Sequence, residues 1–158
     1  MKKNRYTVQK GITTSDPAYS SGDQIATVLE IENAFVDGVG LKLESVSLID
    51  KGDQKAPIDI LFFDDEPIVS SADNSPVDIS STQLEKCIGI LSLQSSDYKT
   101  IKASTNAIAT KSNINLILKN KRALPNGAST LWVLLISRGS PDWTAGENLI
   151  LKLGMEAN

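Results

Sequence analysis

Apolar and polar residues alternate with a period of two through much of this chain, most clearly from Leu41 to Pro67, LKLESVSLIDKGDQKAPIDILFFDDEP. In the second half of this stretch Ile58, Ile60 and Phe62 fall on one face of an extended strand, and Asp59, Leu61 and Phe63 on the other. The first half changes phase: Leu41 and Leu43 share one parity, Val46 and Leu48 the other, with Ser45 between. A β-bulge, or a strand whose two ends bury opposite faces, accounts for that switch. The charged stretch Asp50-Lys51-Gly52-Asp53-Gln54-Lys55 between the halves reads as the longer loop of an antiparallel hairpin.

The same pattern predicts further strands at 25–31, 88–93, 98–103, 114–119, 131–137 and 149–153. Turn residues separate them at Asp37-Gly38, Asp73-Asn74-Ser75-Pro76, Pro125-Asn126-Gly127 and Gly139-Ser140-Pro141-Asp142. About eight short strands at this spacing specify an all-β protein, a two-sheet antiparallel sandwich or barrel, and argue against βαβ alternation. One helical turn interrupts them near residues 82–87, where Thr82 and Glu85 have the spacing of a capping box. Leu131 to Ile136 is apolar on both parities, so both faces of that strand need cover, from a loop or from another subunit. Residues 1–18 are polar and turn-rich apart from a short extended stretch at Tyr6 to Val8, and read as an arm ahead of a single sandwich domain over 19–158.

Composition narrows the chemistry. At 158 residues the chain can bury a core without staples. A net charge of −3 gives no global attraction to nucleic acid or to an anionic membrane. Histidine is absent, and with it the most versatile acid–base group and the commonest metal ligand. Cys87 is the single cysteine, which excludes an intrachain disulfide and a multi-cysteine zinc site. The basic start Met1-Lys2-Lys3-Asn4-Arg5 is not followed by an apolar stretch, and Leu131 to Ile136 is far too short to span a bilayer. No membrane, nucleic-acid or cofactor partner is expected.

Several short motifs occur in a fixed order: Tyr19-Ser20-Ser21-Gly22-Asp23, then Phe63-Asp64-Asp65-Glu66-Pro67 with Asp73-Asn74 after it, then Ile88-Gly89-Ile90. The apolar strand from Leu131 into Arg138-Gly139-Ser140-Pro141 and the final Asn148-Leu149-Ile150-Leu151 close the series. In this order they resemble a family of small virion proteins of tailed bacteriophages, over most of the chain from Tyr19 onward. The resemblance implies a jelly-roll-like sandwich in the particle, of the auxiliary capsid, decoration or cement type. Residues 1–18 lie outside it.

Each candidate for chemistry has a simpler structural reading. Asp64, Asp65 and Glu66 are the densest acidic cluster, yet adjacent strand positions point to opposite faces and no calcium-loop spacing is present. An exposed turn fixed by Pro67 explains them. Asp50 and Asp53 around Gly52 suit a hairpin loop, and Asp73-Asn74-Ser75 an Asx turn before Pro76. Cys87 has no histidine to activate it and reads as a small core residue. Lys119, Lys121 and Arg122 form a basic cluster without aromatic platforms for bases. Trp132 reads as core, whereas Trp143, in a loop, is either a latch onto the sandwich end or an interface anchor.

The expectation is therefore a non-enzymatic virion protein on the capsid exterior, made in the host cytoplasm, binding the major capsid protein and copies of itself as dimers or trimers. Its contact candidates are Lys2, Lys3, Arg5 and Tyr6 of the arm, and Trp143. A tail- or fibre-associated sandwich that binds carbohydrate or protein is the alternative; an aromatic fraction of 5% leaves few rings for stacking on sugars.

Overall fold

The computed structural model describes residues 5–35, 40–102, 105–119 and 129–157. Within them the chain forms β1 (Arg5–Thr14), β2 (Gln24–Phe35), β3 (Leu41–Asp50), β4 (Ile58–Phe63), the short helix α1 (Ser81–Leu84), β5 (Cys87–Leu93), β6 (Tyr98–Lys102), β7 (Asn106–Leu118), β8 (Ser129–Ser137) and β9 (Gly146–Ala157). Two antiparallel sheets result, a five-stranded one in the order β1-β9-β3-β7-β6 and a four-stranded one in the order β2-β8-β4-β5. The pairings nest: β1 with β9, β2 with β8, β3 with β7, and β4 with β5 at the innermost turn. A long antiparallel ribbon rolled up in this way is a jelly roll, with β6 added outside β7. No helix among the described residues is long and apolar enough to cross a membrane.

The phase switch in β3 is a bulge. Its register against both β7 and β9 shifts between Leu43 and Ser45, so Leu41, Leu43, Val46 and Leu48 all reach the core despite their opposite parities. Across the bulge, Asn113 and Asn115 of β7 take positive φ angles of 56° and 54°, a conformation asparagine tolerates. Gly154 of β9 lies opposite Ser45, and a Cβ there would collide with the Ser45 hydroxyl, so the absence of a side chain lets the bulge close.

Three expectations are corrected. The stretch from Leu41 to Pro67 is not a hairpin: β3 pairs with β7 and β9, β4 with β5 and β8, and the charged loop carries the chain from one sheet to the other. Residues 5–14, read as part of an arm, form β1 in register with β9, and Ile12 and Thr14 are buried. Helix α1 is capped by Ser80, whose hydroxyl accepts the Gln83 N–H, rather than by Thr82. In addition, β7 begins at Asn106, well before the expected 114, because its first half turns only the small Ala107 and Ala109 inward.

The main core fills the space between the sheets. A second apolar layer lies outside the four-stranded sheet, where Leu61, Phe63, Leu134 and Ile136 are covered by Val69, Val77 and Ile79 of the segment between β4 and α1. The doubly apolar strand β8 thus gets its outer cover from a loop of its own chain. Trp132 packs, half-buried, at the margin of this layer.

Candidate interaction surface and the polar network beneath it

A heavily bonded acid stands at the end of β3. Asp50 is fully buried. Its Oδ1 accepts the Gly52 N–H and the Trp143 Nε1–H, both at 2.9 Å, and its Oδ2 accepts the Lys55 N–H at 2.8 Å. The carboxylate therefore folds the crossover loop around itself, and Asp53 and Lys55 take positive φ values to close the wrap. Asp50 is thus a loop organiser whose charge is met by three N–H donors.

Trp143 extends the network. Its indole meets Tyr19 edge-on, with centroids 5.5 Å apart and planes at 72°. The Tyr19 hydroxyl donates to Asp73 Oδ1 at 2.8 Å and accepts the Ser15 N–H at 2.9 Å. Burial pushes the Tyr19 phenol upward from its usual pKa. Asp73 Oδ1 also accepts the Ala26 N–H at 2.7 Å, holding a residue at φ 61° where β2 breaks register with β8. Asp73 is thus a clamp across two loops rather than a local Asx turn. At 1% exposure Trp143 is a latch on the sandwich end and offers no surface to a partner.

The other candidates are dispersed. Lys2, Lys3, Lys121 and Arg122 lie outside the described residues. Arg5 is exposed at the start of β1, where its Nε lies 3.0 Å from Glu156 and 3.3 Å from Glu44. The hydrogen bond to Glu156, with the nearby Glu44 charge, raises the guanidinium pKa further. Tyr6 points between the sheets and donates to the Ala34 carbonyl of β2, stitching the two sheet edges together. Arg5 keeps a surface for a partner, and Tyr6 is half-buried within the fold.

The acidic cluster after β4 is tied down by Lys86, whose Nζ lies 3.3 Å from Asp65 and donates to the Glu66 carbonyl at 2.7 Å. Cys87 is half-buried at the margin of the outer apolar layer, with its thiol 3.3 Å from the Gly89 carbonyl. Among the described residues no three His, Cys, Asp or Glu side chains gather as metal ligands. All eight aromatic rings, three Phe, three Tyr and two Trp, are buried or half-buried, so no flat aromatic platform faces solvent. Grooves are open and small; one of about 310 Å³ runs between β1 and β2, past Ile12, Leu29 and Asp73.

Among the described residues one buried side-chain polar atom has no partner. The Tyr98 hydroxyl is enclosed without a hydrogen bond, and burial, reinforced by the charges of Asp50 and Asp97, raises its pKa strongly. Tyr98→Phe is expected to leave stability unchanged or raise it by about 1 kcal/mol, since a desolvated hydroxyl is removed and no bond is lost. Urea unfolding measures this; a clear loss of stability would reveal a partner, such as a buried water.

What sequence reasoning missed is the edge of the four-stranded sheet. Ile90 of β5 is 56% exposed on a strand without a charged residue, a feature legible only once β5 is known to lie at an edge.

No protein-family model and no curated protein matches the chain. Among solved structures it is similar to a chain of desmodium yellow mottle tymovirus at 11% identity, covering 99% of this chain and 82% of that one with a TM-score of 0.29. A likeness of that degree assigns neither family nor function.

Proposed function

We propose that this chain is a structural virion component of a tailed phage, decorating or cementing the capsid exterior, with the major capsid protein and copies of itself as partners. The observation that carries the reading is the use to which the polar groups are put. Asp50, Asp73, Tyr19 and Trp143 hold loops to the sandwich, and Lys86 secures the acidic turn. Such a chain is equipped for rigidity and contact rather than for turnover, and a fold alone would not carry this conclusion.

The ordered motifs support the same reading at the level of the scaffold. Tyr19 and Asp73 are bonded to each other, the Tyr19 N–H donates to the Pro141 carbonyl, and Arg138 pairs with Asp59 at 2.6 Å. Several residues that carry the resemblance, Tyr19, Asp73, Arg138 and Pro141, thus take part in contacts between loops and strands.

The mechanism is burial of surface across capsomer boundaries. A rigid sandwich contacts several capsid subunits, and repetition on a symmetric lattice lets modest affinities act together. Lys2, Lys3 and Arg5 are the contact candidates at the amino end, docking by charge on an acidic neighbour. The alternative, a carbohydrate-binding tail or fibre module, lacks an exposed aromatic ring to stack on a sugar.

Co-sedimentation of the purified chain with capsids stripped of it tests the proposal. Saturable binding that survives Asp64→Ala and Cys87→Ala but weakens in Lys2→Ala/Lys3→Ala is expected. Absence of binding to the capsid would refute decoration.

A further inference from the structure

The four edges of the two sheets are not equally protected. Native edge strands usually carry charges, prolines or bulges that stop them pairing with another chain. Edge strand β1 carries Arg5 and Lys10, β6 carries Lys99 and Lys102, and β2 carries Glu30 and Glu32 beside two breaks of register. Strand β5, CIGILSL, has no charge and no proline along its length. Its bulge lies at its beginning, between Cys87 and Gly89. Near its end, Lys111 Nζ donates to the Ser92 carbonyl at 2.7 Å, which shows that the backbone of Ser92 faces the open edge. Backbone direction alternates along a strand, so Ile90 presents its N–H and carbonyl the same way. On the outer face, the Ile90 side chain extends the Leu61–Leu134 row of the second apolar layer.

We propose that β5 is a homodimerisation edge, where a second copy pairs antiparallel about Ile90 and joins two four-stranded sheets into one of eight. A second copy is the occupant that the edge itself fits. In this register Ile90 meets Ile90 and Gly89 meets Leu91, so apolar residues face apolar residues at the centre of the pair. The Ile88–Ser92 pairs beside them form as Lys111 releases the Ser92 carbonyl and keeps its ion pair with Asp97. The ends select the antiparallel sense. Lys86 precedes the strand and Asp97 follows it, each held by its own chain through Asp65 and Lys111. Antiparallel pairing brings the basic end of one copy to the acidic end of the other, whereas a parallel pair would set Lys86 beside Lys86. One strand pair buries less than a standard interface of about 1,600 Å², so the dimer has a dissociation constant near the micromolar range. None of this depends on the virion reading, because the isolated chain either dimerises through β5 or does not.

Sedimentation velocity of the purified chain from about 1 to 500 µM brackets that range, and disulfide trapping fixes the register. Wild type is expected to form dimers, and Ile90→Lys to weaken them about tenfold or more. In a Cys87→Ser background, Ile90→Cys is expected to give an oxidised, reducible dimer, since directly opposed residues lie within disulfide reach. If Ile90→Lys fails to fold, as judged by circular dichroism, the trapping experiment decides alone. Wild type that stays monomeric throughout, a dimer indifferent to Ile90→Lys, or Ile90→Cys that does not cross-link would overturn the proposal.

Discussion

Asp50→Ala is expected to destabilise the protein by about 3–5 kcal/mol, because it leaves three N–H donors without their shared acceptor in a buried site. All three donors lie between 2.8 and 2.9 Å from the carboxylate, and two are backbone groups of a loop wound around it. At this chain length the loss lowers the melting temperature by about 10 °C or more, a large part of a typical stability of about 5–15 kcal/mol. Asp50→Asn keeps the size but supplies one oxygen where two are used, so an intermediate loss is expected. Thermal melts of the three proteins give the comparison, and an Asp50→Ala melt within about 2 °C of wild type would remove the loop-organiser role.

Trp143→Ala should cost about the same, 3–5 kcal/mol, for a different reason. It empties a buried site beside Tyr19 and strips Asp50 of its one side-chain donor. The two substitutions share the indole–carboxylate bond, so the double variant should lose less than the sum of the singles, by about 1–2 kcal/mol. Strict additivity would mean that the two residues stabilise separate parts of the fold. Because Trp143 is enclosed, the same substitution should weaken capsid binding only in proportion to the unfolded fraction.

The legible and illegible parts of this fold divide along local and non-local physics. Parity places the strands and locates the β3 bulge, since only a bulge or a switch of buried face changes the phase within one apolar run. Parity says nothing about which sheet a strand joins. The stretch from Leu41 to Pro67 therefore reads as a hairpin, although its halves pair with β7 and β9 and with β5 and β8, brought near only by the rolled ribbon. Strand β1 is half visible. Tyr6, Val8 and Ile12 keep the inward parity, but Lys10 occupies an inward position between them and Gly11 follows it, which obscures the period.

The cover of β8 shows the same division. Its sequence announces two buried faces, but whether a loop or a subunit supplies the second can be read only from the packing of Val69, Val77 and Ile79. Trp143 also leaves two readings open in the sequence, and contacts with Tyr19 and Asp50, both distant along the chain, decide for the latch. Asp73 looks like a local turn residue because Tyr19 and Ala26, which give it its role, lie far along the chain, and of the three donors to Asp50 only Trp143 is out of local reach.

The central claim, that this chain is a structural part of a virion shell, is tested most directly by its copy number in purified particles. Quantitative mass spectrometry against the major capsid subunit supplies it. Decoration predicts copies comparable in number to the capsid subunit, or a fixed fraction of it set by the lattice. A handful of copies would move the chain to a portal, tail or fibre, and its absence from particles would contradict the account.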